Sequence, residues 1–269
     1  MKRASALYFA ALVLIATATS GKVVDSSAPE AEPLTIIAED SADPWSYPDG
    51  TGYANDIVKA AYAAANVDVR LIVQPYARCK QNVLNGSAAG CFSMSWAPEL
   101  KGNVIFSDVP IFICHTDYFY RTDRPLEASS EQTIRRRIVV GSVIGYEYPP
   151  SVARLRDSGL IVLEEAGSEI LNLKKLDAGR VDAVLITHNE IKTYQSMCAK
   201  AGLRHEIQLA FASGELKSYI GFSTKHPRGQ WARKRFNEGF ARISRNGALG
   251  ALTAKWKRIA QVEPTVTPY

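Results

Sequence analysis

Glu169 to Thr187 reads EILNLKKLDAGRVDAVLIT, and this stretch decides the fold. Glu169 to Ala178 has the apolar spacing of a helix, and Val181 to Thr187 is the apolar run of a buried strand. A helix that turns within a few residues into a buried strand belongs to a βαβ unit. Upstream the same rhythm predicts strands at Ile138–Ser142 and Ile161–Glu164 with a helix at Pro149–Ser158 between them.

A first series precedes these elements. Leu34–Glu39 reads as a strand, Tyr53–Asn66 as a helix and Val69–Val73 as a strand. Ala77–Leu84 follows as a helix, then strands at Gly90–Met94 and Ile111–Arg121. The polar stretch Arg124–Thr133 separates the two series. After the second series come a strand at Tyr219–Ser223 and helices at Gly229–Asn246 and Ala248–Ile259. Their apolar faces, Trp231, Phe236, Phe240 and Ile243, then Leu249, Leu252 and Trp256, need a surface to bury against. The first half supplies one if the chain returns to it. That return implies two crossings between halves, near Tyr120–Arg124 and near Ser213–Tyr219, which together make a hinge.

The 269 residues are 46% hydrophobic, enough for one large or two medium cores. Lys2 and Arg3, the apolar run Ala4–Ala16 and the small residues Ala16, Thr17 and Ala18 have the pattern of a cleaved signal peptide. An apolar stretch of about ten to thirteen residues is short of the roughly 20 that span a bilayer. The signal is placed at 1–18 and a flexible lead-in, rich in Ser, Ala, Pro and acidic residues, at 19–33. Without Lys2 and Arg3 the formal charge falls from +5 to +3 and no basic block is left, so nucleic-acid binding has no support.

Cys79, Cys91, Cys114 and Cys198 are an even number in a chain expected in an oxidising compartment, with three full pairings open. A single structural bridge or buried thiols are the simpler readings. No Cys-x-x-Cys pair occurs and His115, His188, His205 and His226 are scattered, so no metal site is expected. No nucleophile motif and no Gly-rich phosphate loop is present, and no cofactor is expected.

The order of several short segments is informative. Pro44–Tyr47 (PWSY) follows the first strand and Gly52–Ile57 (GYANDI) opens the first helix. Phe92–Glu99 (FSMSWAPE) leads to Phe106–Asp108 (FSD), then come Gly141–Gly145, Leu176–Val184 (LDAGRVDAV) and Tyr219–Pro227. Together they resemble the family 3 extracellular solute-binding proteins, receptors of the polar amino-acid type for ABC transporters, over most of Leu34–Ala260. The resemblance implies a type 2 periplasmic-binding-protein fold: two α/β lobes, each an open mixed sheet flanked by helices, joined by a two-crossing hinge. The lobes are placed at 34–122 plus 217–262 and at 123–216, with a tail at 263–269. It further implies a monomeric periplasmic receptor that holds a small molecule in the interlobe cleft and presents it to a separate membrane permease.

In amino-acid receptors of this family an Arg five residues after the second Ser of the Ser-x-Ser motif clamps the ligand carboxylate, and an Asp after the second lobe's buried strand accepts from the ammonium. Here these positions are Leu100 and Thr187. Both ionic anchors are missing, which argues against a standard amino acid bound in the usual pose. The cleft is expected to draw on Glu39, Trp45, Tyr76, Arg78, Ser93, Ser95 and Trp96 from the first lobe. Gly145, Tyr146, Glu147, Thr187 and His188 complete it from the second, with Tyr47 and Tyr148 nearby. Tyr76 stands at the family's stacking position, and Ser93 and Ser95 alternate along a strand end so that their side chains share a face. Arg78 is a candidate replacement for the missing clamp. Gly145–Glu147 stands where the family opens a helix, whose backbone donors favour an anion unless Glu147 caps them itself. Aromatic walls with a few polar groups suit a planar, cyclic or cationic molecule. Two alternatives keep the same fold: a dehydratase acting on a cyclic acid through Glu147, His188 or Glu39, and a periplasmic sensor module.

Overall fold

The structure, a computed structural model, describes residues 32–262. The expected signal peptide, the lead-in up to residue 31 and the tail at 263–269 lie outside the described residues. Among the described residues there are nine strands and seven α-helices.

The first series forms β1 (Leu34–Glu39), α1 (Tyr53–Ala64), β2 (Val69–Gln74), α2 (Tyr76–Asn85), β3 (Gly90–Met94) and the short β4 (Val104–Phe106). β1 lies between β2 and β3, parallel to both. Its side chains alternate between two cores. Leu34, Ile36 and Ala38 pack with α1, while Ile37 packs with Tyr76, Cys79 and Val83 of α2. This burial on both faces is what parallel strands under crossover helices require.

The second series forms β5 (Phe112–Arg121), β6 (Ile138–Val143), α3 (Pro150–Asp157), β7 (Ile161–Ala166), α4 (Glu169–Asp177), β8 (Ala183–His188) and α5 (Tyr194–Ala201). The deciding stretch is therefore α4 turning into β8. In β8, Ala183 and Leu185 enter one core and Val184 and Ile186 the other. β6 pairs in parallel with β7 and β8, and β5 runs antiparallel to β8.

β9 (Ile207–Ser223) is 17 residues long, where the sequence predicts only its last five. Its first part pairs with β5 and its last residues pair with β3 and β4, so one strand links both groups of strands. α6 (Gly229–Arg245) and α7 (Ala248–Val262) then pack on α1. The Tyr62 hydroxyl donates to the Ala232 carbonyl at 3.1 Å, and the Trp256 indole donates to Asp56 at 2.9 Å. Gly239 lets α6 approach so closely that a Cβ there would lie 1.7 Å from the Ala61 carbonyl oxygen. Phe236, Phe240, Ile243 and Trp256 are buried as their spacing predicts. Trp231 is not: it stays partly exposed with the guanidinium of Arg228 4.8 Å from its ring centroid.

Candidate functional site

The carboxyl ends of β1 and β3 and the start of α2 meet residues following β6 and the end of β8 around a cavity of about 30 Å³. That volume holds roughly two waters. Eight of the residues expected in the cleft line it: Glu39, Trp45, Tyr76, Ser93, Ser95, Tyr146, Glu147 and Thr187. Phe112 and Cys114 of β5 and Leu216 and Ser218 of β9 complete the wall.

Glu147 bridges the two groups of strands. Its Oε2 accepts from the Tyr76 hydroxyl at 2.5 Å and from the Ser95 backbone N–H at 3.1 Å, and its Oε1 lies 2.8 Å from the Lys80 ammonium. Burial pushes its carboxyl above the usual range, and Lys80 opposes that shift. Lys80 also donates to the Gly145 carbonyl at 3.1 Å. No helix opens at Gly145–Glu147 to offer backbone donors to an anion or to a capping Glu147: α3 begins at Pro150, and Pro149 and Pro150 offer no N–H. The carboxylate finds its donors across the cleft instead.

Cys79 of α2 is bonded to Cys91 of β3, which ties the helix carrying Tyr76 and Lys80 to the strand that leads to Ser95. Cys114 and Cys198 are free thiols, and burial pushes them up to about 12 and about 11.

Glu39 ends β1 and is 3% exposed. Its carboxylate accepts from the Tyr146 hydroxyl, and burial pushes its pKa up to about 7. Trp45 stands beside it in a loop held tight by Gly52, where φ is +136° and a Cβ would lie 2.5 Å from the Trp45 carbonyl oxygen. Its ring centroid is 4.5 Å from that of Phe112, and its indole donates to Asn189 Oδ1 at 3.1 Å. The ammonium of Lys192 lies 4.4 Å from the Trp45 ring centroid while pairing with the buried carboxylate of Glu169. Glu169 also accepts from the Thr187 N–H at 2.7 Å. Ser93 sits at φ +66°, at a register shift in β3, and its hydroxyl and that of Ser218 are buried with no hydrogen-bond partner.

Four expected residues lie off the cavity wall. Arg78 is exposed. Trp96 is 60% exposed. Gly145 turns the chain at φ +85° and contributes its carbonyl to Lys80. His188 points to the opposite face of β8 from Thr187, 2.8 Å from Asp117 and against the rings of Phe119 and Tyr194. Lys80, Glu169, Asn189 and Lys192 were not anticipated. Phe112 with Cys114, and Leu216 with Ser218, are period-two pairs on their strands, a signal that would have found them.

Among the described residues no three His, Cys, Asp or Glu side chains gather as a metal site, and no helix is long and apolar enough to cross a membrane.

The family model for bacterial extracellular solute-binding proteins, family 3, matches residues 34–259. The chain belongs to this family. Solved structures with the same fold include the GluR0 ligand-binding core from Nostoc punctiforme in complex with L-glutamate, at 18% identity and a TM-score of 0.68, covering 86% of this chain and 100% of that one. An ancestral arginine-binding protein bound to arginine is 17% identical, with a TM-score of 0.70 over 83% of this chain and 97% of that one. A histidine kinase sensor domain with similarity to periplasmic binding proteins is 18% identical, with a TM-score of 0.70 over 84% and 96%. No curated protein sequence matches the chain. The fold is thus that of a family 3 receptor, the type 2 periplasmic-binding-protein fold, and membership places the protein among extracellular small-molecule binders.

Proposed function

We propose that the protein is a periplasmic receptor, exported by a cleaved signal peptide, that captures a small polar or cyclic molecule between two lobes and presents the closed form to the permease of an ABC transporter. The observation that carries this reading is the cavity itself, walled from both groups of strands and bridged by Glu147. The strand pairings favour an outward crossing at 107–111, before β5, rather than near Tyr120–Arg124. They favour a return crossing at Leu216–Tyr219, where β9 passes from β5 to β3. In this reading the lobes part to load the cavity and close again on the ligand.

A compound that raises the melting temperature of the refolded, ligand-stripped protein identifies a ligand by mass action. Small-angle scattering and Trp fluorescence at saturation then test closure, since Trp45 lies in the cavity wall. The proposal predicts a change in both; a saturating ligand that leaves both unchanged would sink it.

A further inference from the structure

We infer that the ligand is a small organic cation without a carboxylate, an amine or a guanidine, held at Glu39 beside the Trp45 and Phe112 rings; this rests on the receptor reading above. Glu147 is matched by Lys80 and Glu169 by Lys192. Glu39 lines the same cavity, is equally buried, and among the described residues has the Tyr146 hydroxyl but no cation in ion-pair distance. A buried carboxylate without a cation is costly, and a ligand that carries positive charge removes that cost.

Two hydroxyls fit such a ligand without selecting its charge: Ser218, 2% exposed, and Ser93 both line the cavity with buried oxygens that have no partner, and each can accept from a ligand N–H or donate to a ligand oxygen. The Trp45 ring is already met by the Lys192 ammonium at 4.4 Å and by Phe112 at 4.5 Å, so Glu39 and the two hydroxyls carry the inference. A ligand carboxylate is disfavoured at the same time. Its natural donors, the Ser95 N–H, the Tyr76 hydroxyl and Lys80, already serve Glu147.

Proton release gives a second readout. The groups acting on Glu39 are Tyr146, Lys192, Glu169 and Asp40, with Tyr76 and Glu147 on the same wall. Burial holds its pKa at about 7, so near neutral pH a fraction of the unliganded protein carries a proton there that an arriving cation expels.

The test uses pairs that differ by one carboxylate: agmatine and arginine, histamine and histidine, tyramine and tyrosine. Neutral sugars and dicarboxylates complete the set. Calorimetry at pH 7 in two buffers of different ionisation enthalpy is expected to find at least one amine that binds with proton release. Its parent amino acid is expected to bind roughly 100-fold more weakly or not at all. Glu39→Gln is expected to lower that amine's affinity by roughly 30-fold or more. The unliganded melting temperature of that variant reports whether it folds. An amino acid, sugar or dicarboxylate that binds and closes the cleft while every amine is inert overturns the cation inference and leaves the receptor reading standing. No binding from any class overturns both.

Discussion

Glu147 and Glu39 line one cavity, buried to nearly the same degree, yet their surroundings differ. Around Glu147 a phenol and a backbone N–H donate to one oxygen and an ammonium lies 2.8 Å from the other, the phenol and the ammonium on a helix that a disulfide ties to the neighbouring strand. Around Glu39 there is one phenol and no matched cation among the described residues. The same side-chain type thus does two jobs. Glu147 is a latch that closes the protein on itself, and Glu39 is a charge left for something else to meet.

The comparison breaks most sharply at Lys80, whose side chain is 13% exposed against 3% for Glu147. Lys80→Met strips the latch of its cation and leaves a buried carboxylate alone. The expected loss in unfolding free energy is about 3–5 kcal/mol at pH 8, measured by urea denaturation. The loss shrinks as pH falls, because Glu147 then escapes by taking up a proton. A loss under about 1 kcal/mol at pH 8 would mean that Glu147 is solvated and that the two environments do not differ as described.

Glu39 has the opposite signature. Its folded pKa, about 7, lies above the ordinary value of 4.5, so the folded protein holds the proton more tightly than the unfolded chain. Stability from this group is fully present below about pH 4.5 and is lost as pH rises through 7. The full loss is about 3 kcal/mol. Glu39→Gln is expected to remove this slope, so the variant gains on the parent across pH 4.5 to 8 in parallel denaturation series. Parallel curves for the two proteins would show that Glu39 is not held neutral by burial.

The alternation of strands and helices was legible because each buried strand divides its residues between two cores, and β1 and β3 have the bounds that pattern predicts. Most of β9 was hidden because its first part mixes buried, half-buried and exposed residues without a regular alternation, and Ser213, Gly214, Glu215 and Lys217 interrupt it after the short apolar run at 209–212. β4, at three residues, is too short to give a periodic signal. Within the site, strand-end position identified Glu39, Ser93 and Ser95. Helical geometry explains the exchange of Arg78 for Lys80, since residues four apart share a face with Tyr76 and residues two apart do not. The alternation along β8 likewise sends Thr187 to the cavity and His188 away from it. Lys192 and the reach of Glu147 across the cleft are products of tertiary approach, and no local pattern carries them.

The finest probe of the difference is Tyr146, the hydroxyl that serves Glu39. Its hydrogen bond favours the charged carboxylate and so opposes the upward push of burial. Tyr146→Phe leaves the ring against Tyr76 and Tyr148 and removes that donor. The pH at which Glu39 loses its proton is then expected to rise further above 7. Above pH 8 the variant loses about 2 kcal/mol, the worth of a hydrogen bond to a charged group. Below pH 5, where Glu39 is neutral in the folded protein, the loss falls to about 1 kcal/mol. If the loss is the same at both ends of the pH range, Tyr146 acts through packing alone and Glu39 keeps its charge by other means. If it grows with pH as described, the hydroxyl supports a charge at Glu39, and the contrast with Glu147, which has an ammonium in ion-pair distance, stands.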